Sequence, residues 1–224
     1  MAVNQTPIIP PLEGGDRLSR DEFEWRYHAA HVKKAELVEG VVYVASPVRS
    51  KSHGQPHGRL VTWLGVYEAA TPGVDLNDNA TVRLDLDNEP QPDALLRIEV
   101  GGQSRITNDD YVEGAPEFIA EVAASSAAYD LHDKKRAYQR NSVQEYLVWQ
   151  VFEQKLDWFR LQDGNYVSLQ PDVNGVVRSS VFPGLWLKVS ALLAGNMAKV
   201  LAVLQERLNS PEHAECAKEL SERL

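Results

Sequence analysis

Two compact apolar runs constrain this chain more than anything else in it: Asp93 to Ile98 and Glu117 to Ala123. Each is about one strand long and lacks polar alternation, the pattern of β-strands covered on both faces. Each also carries a carboxylate at one end. Asp93 opens the first in Pro92-Asp93-Ala94-Leu95-Leu96, and Glu121 stands near the close of the second in Phe118-Ile119-Ala120-Glu121-Val122. Lys134 lies one turn into the helix expected next, in the spacing Asp130-x-x-x-Lys134-x-x-x-Tyr138. Two carboxylates at neighbouring strand ends with one ammonium nearby are the minimum set for cation-assisted hydrolysis of a phosphodiester. Carboxylate oxygens hold a hard divalent cation, the cation activates water and neutralises charge on phosphate, and the lysine adds a second positive charge.

The rest of the chain supplies a mixture of elements around these runs. Ser19-Arg20-Asp21-Glu22 is a capping box, and a helix is expected from it to Ala30, burying Phe23 and an edge of Tyr27. Glu36 to Val44 reads as a hairpin or a bent strand, with Gly40 at the bend. Leu60, Trp63, Leu64 and Tyr67 have helical spacing within 52–70, and Thr71-Pro72-Gly73 stops that helix. Val82, Leu84 and Leu86 alternate with polar residues as a strand does, and 101–114 reads as a polar surface loop. A helix from Leu131 to Arg140 is expected with Asp130 as its cap. Strands follow at 144–149 and 155–161, then an Asp163-Gly164 turn into 166–169, then a strand over 180–189 broken at Pro183-Gly184. Ala191 to Leu208 is a periodic helix. The expected fold is α/β, a central mixed twisted sheet flanked by helices. A flexible Pro- and Gly-rich arm covers 1–15, one domain covers 16–208, and a charged tail covers 209–224.

Composition narrows the function classes. A length of 224 residues suits one decorated domain. A net charge of -9 argues against a general nucleic-acid coat protein, whose affinity is cationic, though not against an enzyme with local basic strips. The single cysteine, Cys216, forbids an intrachain disulfide and favours a reducing compartment. The first residues lack the basic start and apolar core of a signal peptide, and no uncharged stretch reaches membrane-spanning length, so a cytoplasmic protein is expected. There is no Gly-x-Ser-x-Gly elbow, phosphate-binding loop or dinucleotide fingerprint. His53 and His57 stand four apart, but Pro56 intervenes and no third ligand has a zinc spacing, so His53 reads instead as a residue that supports the ligands from behind or faces phosphate.

Taken in order, the motifs resemble those of the PD-(D/E)xK nuclease superfamily, and most closely its Uma2 branch, also called DUF820. The resemblance runs from about Glu36 to Leu187. It includes Glu36-Leu37-Val38-Glu39-Gly40-Val41-Val42, Ser46-Pro47, His53, Pro92-Asp93, Glu121-Val122, Asp130-x3-Lys134-x3-Tyr138, Val143-Gln144-Glu145-Tyr146-Leu147-Val148-Trp149 and Phe182-Pro183-Gly184-Leu185. It implies a restriction-endonuclease-like fold and a divalent-metal-dependent endonuclease acting on DNA with Mg2+ or Mn2+. By the same resemblance, Asp93 and Glu121 match the metal-binding carboxylates, Lys134 the catalytic lysine and Glu39 a further acidic ligand. In the parent superfamily the lysine stands two residues after the second carboxylate, where this chain has Ala123. In the Uma2 branch it has moved to the following helix. One stretch departs from the branch: Ala123-Ala124-Ser125-Ser126 stands where a Ser-Pro-Ser turn is usual.

Substrate contacts are expected from two basic strips. One contains Arg49, Lys51, His53, His57 and Arg59; the other contains Lys134, Lys135, Arg136 and Arg140, with Tyr138 on the same helix. The competing reading is a non-catalytic protein-interaction or DNA-binding module that keeps the nuclease fold. A homodimer is expected, because two copies cut two strands most simply, with Trp158, Phe159 and the 191–208 helix as candidate contact surface.

Overall fold

In the computed structural model, residues 9–30, 32 and 34–224 are described. The chain opens with α1 (Arg20–Ala29), the hairpin β1 (Ala35–Val38) and β2 (Val41–Val44), and α2 (Gln55–Ala69), which is entered through a π-helical turn at Ser50–Gly54. Then come β3 (Val74–Asp78), β4 (Val82–Arg83), β5 (Ala94–Ile98), β6 (Ser104–Ile106), β7 (Val112–Gly114) and β8 (Phe118–Ala123). The next helix starts as α3 (Ala127–Tyr129), passes through a second π-helical turn at Asp130–Lys134 and continues as α4 (Lys135–Arg140). The last part holds β9 (Glu145–Gln150), β10 (Lys155–Gln162), β11 (Asn165–Ser168), β12 (Val176–Arg178), β13 (Trp186–Lys188), α5 (Val189–Leu193), α6 (Met197–Leu208) and α7 (Pro211–Ser221).

Six strands form the central sheet in the order β11-β10-β9-β8-β5-β3. The β8–β9 pair is parallel and the others are antiparallel, giving the mixed sheet expected. Alternation then assigns the two faces. Ala94, Leu96, Phe118, Ala120, Val122, Leu147 and Trp149 face a core shared with α2 and the C-terminal helices. Leu95, Ile119, Ala123, Tyr146 and Val148 face a second core closed by Tyr138 of α4. Asp93 and Glu121 fall on the odd-numbered, α4-facing side. The register Ala94↔Ala120 places them as the next opposed pair along β5 and β8.

Several expectations are corrected. The Leu84–Leu86 alternation is a turn, not a strand: Asp85 accepts from the Asp87 N–H and the Asn88 amide, and Leu86 is exposed. The polar 101–114 loop contains β6 and β7, which pair with each other, and β7 pairs also with β4. The expected strand over 180–189 is a turn leading into β13. The expected capping box does not form: Ser19 stands at the α1 N-cap without a side-chain cap bond, and Glu22 accepts from Arg26. Asp130 is no cap; the helix starts at Ala127, leaving Asp130 inside it and buried. Gly195 splits the last periodic segment into α5 and α6. The charged tail is α7, and it buries His213 and Leu220. Of the expected arm, residues 1–8 lie outside the described residues, while Leu12 packs with Phe23, Leu37 and Val42. Trp158 and Phe159 are buried, so they are not the contact surface expected for a dimer. No helix among the described residues is long and apolar enough to cross a membrane.

Candidate active site

The site is built by three elements meeting over one end of the β5–β8 pair. From β8, Glu121 extends into the space beneath the 127–140 helix, with 4% of its surface exposed. Its Oε1 accepts from Lys134 Nζ at 2.8 Å and from the Tyr138 hydroxyl at 3.0 Å. Lys134 is as deeply buried, and Tyr138 is wholly so. Positions 134 and 138 are one helical turn apart, which is why both reach the same oxygen. The ladder bond from Lys135 N–H to the Asp130 carbonyl is of the five-residue π type. Such turns recur at functional sites, where they re-aim side chains.

Asp93 stands just before β5. Its Oδ2 accepts from the Val122 N–H at 2.7 Å, and its Oδ1 contacts His53 Nε2 at 3.1 Å. His53 comes from the other π-helical turn and reaches solvent more than Asp93 does, with side-chain exposures of 20% and 8%. His57 is turned to the Asp93 carbonyl and to Asp78, so no His–His cation site forms.

The electrostatics follow from burying these charges together. Burial pushes the Asp93 carboxyl up, but His53, the Val122 N–H and Lys134 outweigh it and leave the group more acidic than usual. Glu121 goes the other way. Burial, opposed by Lys134 and reinforced by Asp93, Asp130 and Glu36, pushes it up to about 8. Asp130 is pushed up to about 6, again mainly by burial. Burial lowers the basicity of Lys134, yet Glu121, Glu36 and Asp130 more than restore it, so the ammonium stays charged. The hydrogen bond to Asp93 raises His53. Buried carboxylates thus outnumber the buried ammonium.

Not every expected residue joins this cluster. Glu39 does not: it holds a left-handed turn position, φ 53°, and its carboxylate pairs with Arg140. Its place beside Lys134 is taken by Glu36, 3.1 Å from Nζ, which also accepts from the Gln91 N–H. The signal for this lay in the hairpin itself. A turn at Glu39-Gly40 leaves Glu36 as the only acidic side chain on the β1 strand. Tyr138, expected to touch substrate, instead lies inside the protein and holds Glu121. Arg59 points away as well; its guanidinium packs where a side chain on Gly195 would sit. Lys135 lies over the Phe159 ring, 3.6 Å from its centre, on the flank opposite to Lys134. Arg49 and Lys51 are exposed in the segment that leads to His53. Tyr129, absent from the sequence reading, lines the cluster. Lys134 Nζ stands 5.5 Å from its ring, and its buried hydroxyl has no hydrogen-bond partner among the described residues.

Comparison with known proteins follows the same lines. The profile of the Uma2 family, described as "Putative restriction endonuclease", matches residues 20–190. Among solved structures, the chain is similar to one described as a putative nuclease belonging to DUF820 from Anabaena variabilis ATCC 29413, at 13% identity and a TM-score of 0.54. The match covers 71% of this chain and 89% of that one, and at this identity it speaks to the fold. No curated protein matches. The mixed α/β sandwich is therefore the restriction-endonuclease-like fold expected, and the chain belongs to the Uma2 family of restriction-endonuclease relatives.

Proposed function

We propose that the chain is a divalent-cation-dependent endonuclease that hydrolyses DNA phosphodiester bonds, with Asp93, Glu121 and Lys134 at its centre. The observation that carries this is the buried ammonium of Lys134, 2.8 Å from Glu121 and surrounded by more carboxylates than it can neutralise. Among the described residues no three acidic, His or Cys side chains form a ready cation cage. The donor chemistry nevertheless fits Mg2+ or Mn2+. Mg2+ keeps several waters and is held by one or two carboxylates plus substrate phosphate, and a carboxyl pushed up to about 8 gains from a cation beside it. When bound, the cation supplies Lewis acidity toward the phosphate and lowers the pKa of water.

The chain's own residues do the rest. Asp93 is fixed by the Val122 N–H and His53, and Glu121 by Tyr138, so neither carboxylate has to reorganise. Lys134 holds a positive charge where negative charge builds on the phosphate. His53, Arg49 and Lys51 meet the phosphate backbone outside. Cutting both strands calls for two such sites, which a homodimer supplies through a face other than Trp158 and Phe159. The second reading, a non-catalytic module, is favoured by the saturation of Asp93, both of whose oxygens already have partners.

A plasmid-cleavage assay separates the two. Cleavage is expected with Mg2+ or Mn2+, none with EDTA, and none from folded Asp93→Ala or Glu121→Ala. Cleavage by both variants at the parent rate would remove the site assignment; no cleavage by the parent with either cation would favour the non-catalytic module.

A further inference from the structure

Lys134 has two carboxylate partners, and they differ in what else they are bound to. On Glu121 it shares Oε1 with the Tyr138 hydroxyl, so that oxygen is fully engaged while the ammonium is there. Glu36 is different. Both of its oxygens lie 3.1 Å from Nζ, and one is anchored by the Gln91 N–H at 2.9 Å. The anchor is rigid. The β1 hairpin is pinned to the segment ahead of Asp93 by two backbone bonds between Leu37 and Glu89, of 3.1 and 2.7 Å. Glu36 is therefore held in place whether or not Lys134 binds it.

We infer that Glu36 is a positioning residue that provides Lys134 with an alternative partner. With no divalent cation present, the ammonium donates to Glu121 Oε1 as well as to Glu36. Were a cation held at Glu121 Oε1, Lys134 would give up that oxygen and stay paired on Glu36, whose two oxygens it already contacts, with no movement of the helix needed. This keeps the ammonium neutralised and beside the reacting phosphate, where two unshielded positive charges would otherwise repel. The inference rests on the cation-dependent reading above.

The test is a double-variant cycle read by binding rather than activity. Mn2+ is titrated calorimetrically into the parent, Glu36→Gln, Lys134→Met and the double variant, each checked for its melting transition. Glutamine keeps the acceptor for the Gln91 N–H, so the hairpin anchor survives. Glu36→Gln is expected to weaken Mn2+ binding about tenfold in the parent background, within the usual range of coupling between two sites. In the Lys134→Met background the same change should cost far less, because no ammonium remains to be housed. Equal losses in both backgrounds overturn the proposal, since Glu36 would then act on the cation directly. No loss in either also overturns it. A parent that binds no Mn2+ fails at an earlier point, taking the cation-dependent reading with it. A crystal structure of the parent with Mn2+ gives an independent readout: Nζ is expected on Glu36 and away from Glu121 Oε1. An ammonium still on Oε1 beside the bound cation is the contrary result.

Discussion

Lys134 and Lys135 are adjacent, yet their surroundings pull their basicity in opposite directions. Lys134 is raised because three carboxylates outweigh its burial, whereas Lys135 is lowered, partial burial over Phe159 being the main cause. Helical spacing alone puts them on two flanks of one face and does not choose between them. Only the carboxylates on β8 and β1 make the choice, and those come from distant sequence. Lys134→Ala is therefore expected to lower single-turnover cleavage by at least the ~10²-fold typical of losing one transition-state charge contact. Lys135→Ala is expected to leave it nearly unchanged; an equal or larger loss there defeats the assignment. Glu121 carries a second prediction. Its folded pKa of about 8 lies well above the ~4.3 of an unfolded glutamate, so between those values the folded state binds more protons. Its contribution to stability is thus present at acidic pH and lost as pH rises toward 8. Glu121→Gln removes that loss, and its melting temperature relative to the parent should improve from pH 5 to pH 8.5. A difference that is flat or falls with pH would show that burial does not govern this carboxyl. The residues legible in the sequence were those whose type clashes with an apolar run, Asp93 and Glu121. Glu36 follows once the hairpin turn is put at Glu39-Gly40, whereas Tyr129 and the role of Tyr138 depend on which way a helix faces, which no local pattern specifies.

At the scale of elements, legibility followed the strength of the local period. β5, β8 and β9 are continuous apolar runs, and their positions were read to within a residue or two. β6 and β7 have three residues each and are held by pairing with one another and of β7 with β4, so nothing in their own sequences announces them. The Asp85–Asn88 turn has the same alternation as a strand, but its carboxylate captures the backbone instead. The two π-helical turns carry His53, Asp130 and Lys134, and such turns have no sequence signature. α7 is hidden in the sequence for another reason: its charges dominate its composition, while its docking depends on a few residues. Leu220 is buried in the main core and packs so closely on Gly73 that a side chain there would lie 3.1 Å away. His213 is held between the Thr71 hydroxyl and the Leu208 carbonyl. α7 is thus part of the folded unit, not an appendage. Leu220→Ala is expected to cost roughly 2–4 kcal/mol, lowering the melting temperature by at least about 4 °C, while exposed Glu219→Ala changes it little. Calorimetric melts that fail to distinguish the two variants would return α7 to the status of a tail.

For the whole molecule, the question is how a chain of net charge -9 approaches a polyanion. Most of the cations in the two basic strips are already paired or face elsewhere. Arg136 is bound to Asp133, Arg140 bridges Glu39 and Asp85, Lys135 lies on Phe159, and Arg59 lies against Gly195 on the far side of α2. The exposed pair Arg49 and Lys51 remains, in the segment that delivers His53 to Asp93. Attraction of the proposed DNA substrate is therefore local and must act against the field of the whole protein, so its binding is expected to be weak and sensitive to salt. Each phosphate neutralised by a cation releases counterions and contributes about 0.9 to the slope of log affinity against log salt on duplex DNA. If Arg49 and Lys51 each hold one phosphate, removing both should flatten that slope by about two and weaken binding to all sequences alike. Arg59→Ala should leave it unchanged, although the sequence places Arg59 in the same strip. Fluorescence anisotropy on a labelled duplex, with Ca2+ in place of the catalytic cation and salt varied, measures all three. A slope altered as much by Arg59→Ala as by the double variant would mean that DNA runs along the C-terminal helices instead, on the face of the sheet away from Glu121.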